Sequence, residues 1–416
     1  TTTYYWRIDA EATGGVTAGS IWSFTTAIPP RGIVTLNASD AFGSSSYNAP
    51  GNWSSALAPS NGNDYFTSNK ELRSPVGASG TTAFGGYSLS LDSGGTLTTK
   101  GANNNNLSID RLVLNGGRVR VGDQNTLVTL FGAVAEVRAA STLDADQASR
   151  VMVFSSPLSG SARLSIASKT SSGGIVRLAG DHASFTGPWT IEAGATLQVG
   201  NGGTSGSLGS GDVILNGALT FNRSGLLTVP GGISGSGSLS LQSSLALTLD
   251  GVNSFTGSTT ASAGALFVDG SLGNTAVTIA TAATLGGTGS VAGPVTVLGT
   301  LSPGFSGLNS TSNLRFGDSL TLASSAICRF ELNRASSVPS DAVTVSGALH
   351  VAGDLVVTNM GTALAAGDRF AIFNKAPTTG SFAQVTLPSL SPGLLWRDDL
   401  AIDGTVLSLI HISEPT

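Results

Sequence analysis

The chain has 416 residues, of which 56 are glycine, 11% are charged and 6% are aromatic, and its formal net charge is −5. Its mean hydropathy of +0.22 excludes a disordered chain, which combines low hydrophobicity with high net charge. Arg118 and Arg120 form the one local basic cluster, so the sequence lacks the stripe of positive charge with which a nucleic-acid-binding protein neutralises phosphates. The sequence also contains no run of about 18 apolar residues, so it predicts no membrane-spanning helix.

The N-terminal segment predicts a β-hairpin. Two aromatic-rich alternating runs, residues 3–10 and 19–26, flank a short glycine turn, which is the pattern of paired antiparallel strands. The hairpin resembles the last two strands of a fibronectin type III domain, a Tyr-x-Trp-Arg-Val-x-Ala strand followed by a Trp-Ser-Phe-x-Thr strand. We therefore interpret residues 1–28 as a truncated fibronectin type III-like remnant and expect the reading frame to begin upstream.

Residues 29–76 are interpreted as a cap region that precedes the repeats. Trp53 lies in this region and has two interpretations. It is either a platform on which a sugar ring stacks or a buried cap over the open end of the following domain, which would otherwise invite edge-to-edge pairing.

Residues 77–310 consist of short apolar strands separated by Gly, Asn, Ser and Thr turns. The Phe-Thr-Gly segment at residues 185–187 recurs 70 residues later at residues 255–257. A long internal repeat of this kind is typical of solenoid coils, which bury their apolar faces only by stacking on neighbouring coils. The pattern predicts an all-β fold, a right-handed single-stranded parallel β-helix with roughly 22 residues per coil.

Two segments of this region carry a resemblance to a known repeat. Residues 178–187 and 249–257 are similar to the apolar-Gly-x-Asn-x-Phe-Thr-Gly segment of the autotransporter-associated β-strand repeat, with Asp181 and His182 in the polar turn of the first copy and Asn253 in the second. The resemblance implies a passenger-type β-helix that is secreted or displayed at the cell surface in association with the outer membrane.

The C-terminal part is divided in two. Residues 311–406 are predicted to be a β-rich continuation and cap. Residues 407–416 resemble a translated transposase sequencing adaptor, so we exclude them, including His411, from the predicted fold. Export signals are expected to lie outside the chain.

Two carboxylates are candidates for catalysis or calcium binding. Asp144 and Asp146 would share one face of a strand, as the acid and base of a polysaccharide-active enzyme or a calcium site require. The alternative is a solvated turn at an irregular bulge, and the composition of residues 136–150 indicates a turn of helix there. Arg118 and Arg120 also share a strand face and are candidates for contact with an anionic glycan, the alternative being a solvated outer face.

We predict a structural, non-catalytic β-helix that serves as an extracellular or cell-surface stalk, with adhesive contacts to glycans or surface proteins. It is expected to be monomeric, with no catalytic residue, cofactor or metal assigned and with its one cysteine, Cys328, a buried inert thiol. The alternatives are a polysaccharide lyase or hydrolase, or its accessory module, and the passenger of an outer-membrane autotransporter.

Overall fold

The computed structural model describes residues 2–26, 30–40, 46–75, 80–100, 105–122, 127–147, 149–168, 173–304 and 311–410. Nearly all regular structure in these ranges is β. The N-terminal strands are β1 Thr2–Trp6, β2 Ala10–Ala12, β3 Gly15–Thr17 and β4 Trp22–Thr26. Outside the strands there are the 3-10 turn Pro50–Asn52 and the helix α1 Leu400–Asp403, and no helix of the described ranges is long and apolar enough to cross a bilayer.

Within the described ranges, forty-two further strands follow the hairpin. The next are β5 Gly32–Thr35, β6 Asn63–Phe66, β7 Glu71–Arg73, β8 Gly80–Ala83, β9 Ser88–Asp92, β10 Thr96–Thr99, β11 Asn105–Ser108, β12 Arg111–Asn115, β13 Arg118–Val121, β14 Leu127–Phe131, β15 Val134–Ala139, β16 Ser141–Asp144, β17 Val151–Phe154, β18 Leu158–Gly160, β19 Leu164–Ala167, β20 Ile175–Leu178, β21 Trp189–Ile191 and β22 Thr196–Val199. Then come β23 Val213–Leu215, β24 Ala218–Phe221, β25 Gly225–Val229, β26 Ile233–Ser234, β27 Ser238–Leu241, β28 Leu245–Leu249, β29 Val252–Asn253, β30 Thr259–Val268, β31 Ser271–Leu272, β32 Val277–Gly286, β33 Ser290–Val291, β34 Val295–Val297 and β35 Thr300–Leu301. The last are β36 Asn313–Phe316, β37 Leu320–Leu322, β38 Ile327–Leu332, β39 Ala342–Val345, β40 Leu349–Val351, β41 Asp354–Asn359, β42 Arg369–Ala371, β43 Thr379–Gly380, β44 Gln384–Thr386, β45 Leu394–Asp399 and β46 Thr405–Ile410.

The predicted hairpin is present. Strands β1 and β4 pair antiparallel, and β2 pairs with β3 at the tip. Tyr4 stacks on Phe24 with ring centroids 5.2 Å apart, and Trp6 lies 5.4 Å from Trp22, so directly opposed aromatic pairs hold the two strands together. These four rings are largely exposed. The relation of residues 1–28 to a fibronectin type III domain stays a prediction.

The body of the molecule is a parallel β-solenoid of about 12 turns, which confirms the predicted fold class. From β5 to β44, with the exception of β42, each strand pairs in parallel with a strand of a neighbouring coil. Side chains that point into the core therefore lie directly above the side chains at the same position in the neighbouring coil. One such ladder is fully buried and consists of Leu97, Val119, Leu143, Ile166 and Ile191. With coils about 4.8 Å apart, each side chain is covered by the next, which removes its apolar surface from water.

The coils differ in length along the rod. Hydrogen bonds between neighbouring coils join Asn115 to a residue 23 positions earlier, Asn253 to one 18 positions later and Val345 to one 29 positions later. The uniform period of roughly 22 residues therefore describes the coils around Asn115, but not the first coil, in which Gly32 pairs with Asn63, or the later ones. Parallel pairing extends to β5 and β44, which lie outside the predicted segment 77–310. The division of the chain into domains stays a prediction.

Two local predictions were wrong. Residues 136–150 contain no helix among those described, because Ala135, Val137 and Leu143 alternate as buried residues of β15 and β16, and stacking on the next coils overrides the helix propensity of the intervening residues. Residues 407–410, which we excluded from the fold, complete β46, the central strand of an antiparallel sheet with β42 and β45. His411 lies outside the described residues, and the origin of residues 407–416 stays a prediction.

The single cysteine belongs to the core. Cys328 is fully buried between Leu301 and Leu355 of the adjoining coils, and burial raises its pKa to about 12. Since the thiolate is the reactive form, we expect native protein at pH 8 not to react with an aromatic disulfide reagent, and the unfolded chain to react fully. The neighbouring exposed position supplies the control, because Arg329→Cys should add one thiol that reacts at once. Rapid reaction of native wild-type protein would contradict the burial.

Candidate functional site

The outer surface of the sheet formed by β7, β10, β13 and β16 brings three of the predicted residues together. The parallel register places Thr98 of β10 beside Arg120 of β13, and Arg120 beside Asp144 of β16. Arg118 lies two residues before Arg120 on the same strand and therefore points to the same side. We call this surface, made of Glu71, Arg73, Thr98, Arg118, Arg120 and Asp144, the charged face.

Arg118 and Asp144 form an ion pair across neighbouring coils. Arg118 Nη1 lies 3.1 Å from Asp144 Oδ2, and Asp144 Oδ1 accepts the backbone N–H of Asp146 at 2.7 Å. Both carboxylate oxygens of Asp144 are thus engaged, and burial is the main cause that raises the pKa of Asp144 above its ordinary value. The arrangement fixes the position of the Arg118 guanidinium, which remains about half exposed.

Asp146 does not lie on a strand. Strand β16 ends at Asp144, and Asp146 adopts a left-handed backbone conformation with φ of 59°. Its carboxylate accepts a hydrogen bond from Arg150 Nη1 at 3.3 Å, and both side chains of that pair are almost completely buried. The predicted shared strand face and its alternative, a solvated turn, were therefore both wrong, because the carboxylates of Asp144 and Asp146 are buried and held by arginines.

Glu71 is one of three residues of this surface, with Arg73 and Thr98, that sequence reasoning missed. Its Oε1 accepts a hydrogen bond from Thr98 Oγ1 at 2.6 Å and one from Arg120 Nη2 at 3.3 Å, and Arg73 Nη2 lies 3.2 Å from it. Arg120 is 49 residues away in the chain, so no local spacing connects the two. The alternation of Glu71 and Arg73 around buried Leu72 was the one available signal.

Two cavities adjoin on the charged face. The larger, of about 500 Å³, extends from Ser39 and Asn69 to Thr142, and the smaller, of about 300 Å³, extends to Glu192. Arg118 and Arg120 line both cavities. In the described part of the chain, no group of three or more His, Cys, Asp or Glu side chains is arranged to hold a metal ion.

Trp53 does not belong to this surface. Its side chain is fully buried, it packs edge to face on Tyr65 with centroids 4.8 Å apart, and it lies 6.1 Å from Phe84. Its Nε1–H donates to the backbone carbonyl of Tyr47 at 2.8 Å. The structure corrects the interpretation of Trp53 as a glycan contact, because neither face of the indole is accessible to a sugar.

His182 is a second buried polar residue. Its Nδ1 accepts the backbone N–H of Leu158 at 3.2 Å, and burial lowers its pKa to about 4. In the second copy of the repeat, Asn253 Oδ1 accepts the N–H of Ile233 at 3.2 Å in the same way. The histidine ring therefore serves as an internal hydrogen-bond acceptor between coils.

Asp341 was not predicted and is also buried. Its carboxylate accepts the backbone N–H groups of Ser312 at 2.8 Å and Glu331 at 2.9 Å. Burial is the largest effect on this side chain and raises its pKa to about 7. The bond from Ser312, 29 residues away, joins neighbouring coils, whereas Glu331 is 10 residues away along the chain. Asp341 thus links two coils, and no sequence motif marked it.

Comparison with known proteins gives one short similarity. No protein-family model matches the chain. Over 54 residues, 13% of the chain, it is 57% identical to the adhesin BmaC autotransporter of Brucella suis biovar 1 (strain 1330). The match covers 2% of that adhesin's length, so the chain corresponds to a small part of it. This similarity and the parallel β-solenoid fit a passenger-type β-helix.

Proposed function

We propose that the chain is a non-catalytic, adhesive part of a β-helical protein displayed at the bacterial surface. The observation that carries the proposal is the 57% identity to an adhesin autotransporter in a chain that folds as a parallel β-solenoid. A rod of about 12 turns is roughly 55 Å long. It offers a long, rigid outer surface on which contacts with glycans or surface proteins repeat from coil to coil.

The ion pairs of Asp144 and Asp146 support a non-catalytic role. A general acid and base must be free to exchange protons with a substrate, whereas Asp144 is bound to Arg118 and Asp146 to Arg150. Secretion through an outer-membrane barrel encoded downstream is part of the same proposal. Sequencing the gene beyond both ends of the chain tests that part, because a β-barrel domain is expected at its 3′ end.

Adhesion is tested by displaying the solenoid on the surface of a bacterium that does not otherwise adhere. Residues 30–410, fused to a surface anchor on a non-adherent bacterium, are expected to raise attachment to host cells or to glycan-coated and matrix-coated surfaces. The control is Leu143→Asp, which places an unpaired charge in the buried ladder and should abolish both the fold and the attachment. Attachment no greater than that of the anchor alone would contradict the proposal. Release of reducing sugar from polysaccharides, lost in Asp144→Ala, would favour the enzymatic alternative instead.

A further inference from the structure

Four asparagines of the chain are followed directly by glycine, and this dipeptide can undergo a reaction between its own two residues. The backbone nitrogen of the glycine attacks the amide carbon of the asparagine side chain, and glycine favours the attack because it has no side chain to obstruct the approach. The attack needs a nitrogen that can lose its proton and an amide that can turn towards it. The four sites are Asn61–Gly62, Asn115–Gly116, Asn201–Gly202 and Asn216–Gly217.

The fold holds Asn115 and Gly116 in an unreactive arrangement. The Gly116 N–H donates to Ser141 Oγ at 3.0 Å, and Asn115 Nδ2 donates to Asp92 Oδ1 at 3.1 Å. Both groups that would react are therefore bound to neighbouring coils. Attack would require these two hydrogen bonds to break, which raises the barrier to the reaction.

Asn216 and Gly217 are held in the same way. The Gly217 N–H donates to the carbonyl of Ile191 in the preceding coil at 3.1 Å. Asn216 Oδ1 accepts the N–H of Ser236 in the following coil at 3.4 Å. The nitrogen and the side-chain amide of this pair are thus each tied to a different coil.

At Asn201 and Gly202 the nitrogen alone is held. The Gly202 N–H donates to the carbonyl of Asn222 at 2.8 Å. The side chain of Asn201 is exposed and makes no hydrogen bond to any residue that the structure describes. The amide can turn at this site, but the proton of the attacking nitrogen is retained by its hydrogen bond.

Asn61 and Gly62 differ from the other three pairs in both respects. The two residues are exposed, and within the described ranges neither the Gly62 N–H nor the Asn61 side chain makes a hydrogen bond. They occupy the middle of a turn that is closed by the bond from the Asn63 N–H to the Ser60 carbonyl at 3.2 Å. The Asn61 side chain can therefore turn towards the Gly62 nitrogen without breaking a hydrogen bond.

We propose that Asn61 is a site of spontaneous deamidation. The Gly62 nitrogen loses its proton and forms a bond to Asn61 Cγ, the Cγ–Nδ2 bond breaks, and Nδ2 takes up a proton and leaves as ammonia. Water then opens the five-membered imide at either of its two carbonyls, which leaves aspartate or isoaspartate at position 61. The reaction needs water and no partner, so the proposal is independent of the adhesive function above.

The modification acts on the first coil of the rod. Either product adds one negative charge to the turn before β6, and isoaspartate also adds a methylene group to the main chain. The Gly62 carbonyl accepts the Gly32 N–H at 3.2 Å, and Gly32 pairs with Asn63 in the parallel register of β5 and β6. A longer main chain in the turn disturbs this register. Amide hydrogens of β5 are therefore expected to exchange faster in the isoaspartate form.

The test follows the purified full chain during incubation at mildly alkaline pH. Proteolysis and mass spectrometry give the deamidated fraction of each of the four Asn-Gly peptides, and methylation by an isoaspartyl methyltransferase identifies isoaspartate. Asn61 is expected to react at least about tenfold faster than each of the other three, the factor by which one retained hydrogen bond slows the attack. Both isoaspartate and aspartate should form at Asn61.

Two controls separate the effect of the fold from that of the dipeptide. In guanidinium chloride the hydrogen bonds of all four pairs are lost, so their rates should become similar. Gly62→Ala is the matched variant, because a Cβ at Gly62 would meet nothing nearer than Ser60 Oγ at 4.0 Å and the fold should be unchanged. The added methyl group obstructs the nitrogen and should slow the reaction of Asn61 about tenfold in native protein.

Four results would each overturn the proposal. The first is deamidation of Asn115, Asn201 or Asn216 in native protein as fast as that of Asn61. The second is a preference for Asn61 that persists unchanged in guanidinium chloride, and the third is an unchanged rate in Gly62→Ala. The fourth is formation of aspartate without isoaspartate, which would indicate direct hydrolysis of the amide by water.

Discussion

Replacing Trp53 by alanine is expected to lower the free energy of unfolding by about 3–5 kcal/mol, the usual cost of truncating a buried tryptophan. The indole is fully buried and packs on Tyr65 and Phe84, so its removal leaves a cavity and frees the Tyr47 carbonyl from its bond to Nε1–H. In a solenoid each coil contacts only its neighbours. We therefore expect the loss in the first coils, measured by guanidinium unfolding combined with hydrogen exchange.

Trp22→Ala is the control for this prediction. Trp22 is 60% exposed on the N-terminal hairpin, and its replacement should change the stability of the solenoid by less than about 0.5 kcal/mol. Trp53→Phe retains a ring and loses the hydrogen bond, and should cost about 1–2 kcal/mol. If Trp53→Ala and Trp22→Ala unfold at the same denaturant concentration, the aromatic cluster does not stabilise the first coils.

Acid is expected to destabilise the solenoid through His182. Burial lowers the pKa of His182 to about 4 in the folded protein, against an ordinary value of 6.5, and the opposing effect of Asp181 is smaller. In the unfolded chain the imidazole takes up a proton as the pH falls below 6.5, while in the folded chain it stays neutral. The stability contributed by neutral His182 is therefore complete above pH 6.5 and is lost as the pH falls towards 4, by about 3 kcal/mol in total.

The matched variant is His182→Asn, which keeps a hydrogen-bond acceptor for the N–H of Leu158, as Asn253 does for Ile233. Chemical unfolding at several pH values should show a smaller loss of stability between pH 6.5 and 4 in this variant than in wild type. His182→Leu removes the acceptor, and should be less stable than His182→Asn by about 1–3 kcal/mol at neutral pH because a buried N–H is left unpaired. If the stability of wild type and of His182→Asn depended on pH in the same way, folding would not lower the pKa of His182.

The fold could be predicted from the sequence because every coil has the same need to bury a short apolar segment. Short apolar segments such as residues 112–114 are too short to bury themselves, and stacking alone covers them. The length of each coil could not be predicted, since the turns that set it are built of the same residue types, Gly, Ser and Asn, in coils of 18 and 29 residues. The exclusion of residues 407–410 failed for a different reason, because it rested on their resemblance to an adaptor and not on their capacity to pair.

The candidate site was predicted in part. Arg118 and Arg120 were recognised from their alternation on one strand, and the structure places both on the charged face. Their contacts with Glu71 and Asp144 depend on which strands lie in register across coils, and sequence spacing alone does not give that register. For Trp53 the sequence offered burial as one of two interpretations, and the burial of Asp146 was missed.

The ladder of buried residues from Leu97 to Ile191 has a consequence for the reach of the protein. Each coil presents the next with the same pattern of hydrogen-bonding groups and apolar side chains, so a whole coil can be duplicated or deleted without changing the junctions on either side. Every such event alters the distance between the two ends of the rod by about 4.8 Å. The distance between the two ends of the rod can thus change in equal steps, one coil at a time, independently of what the outer face binds.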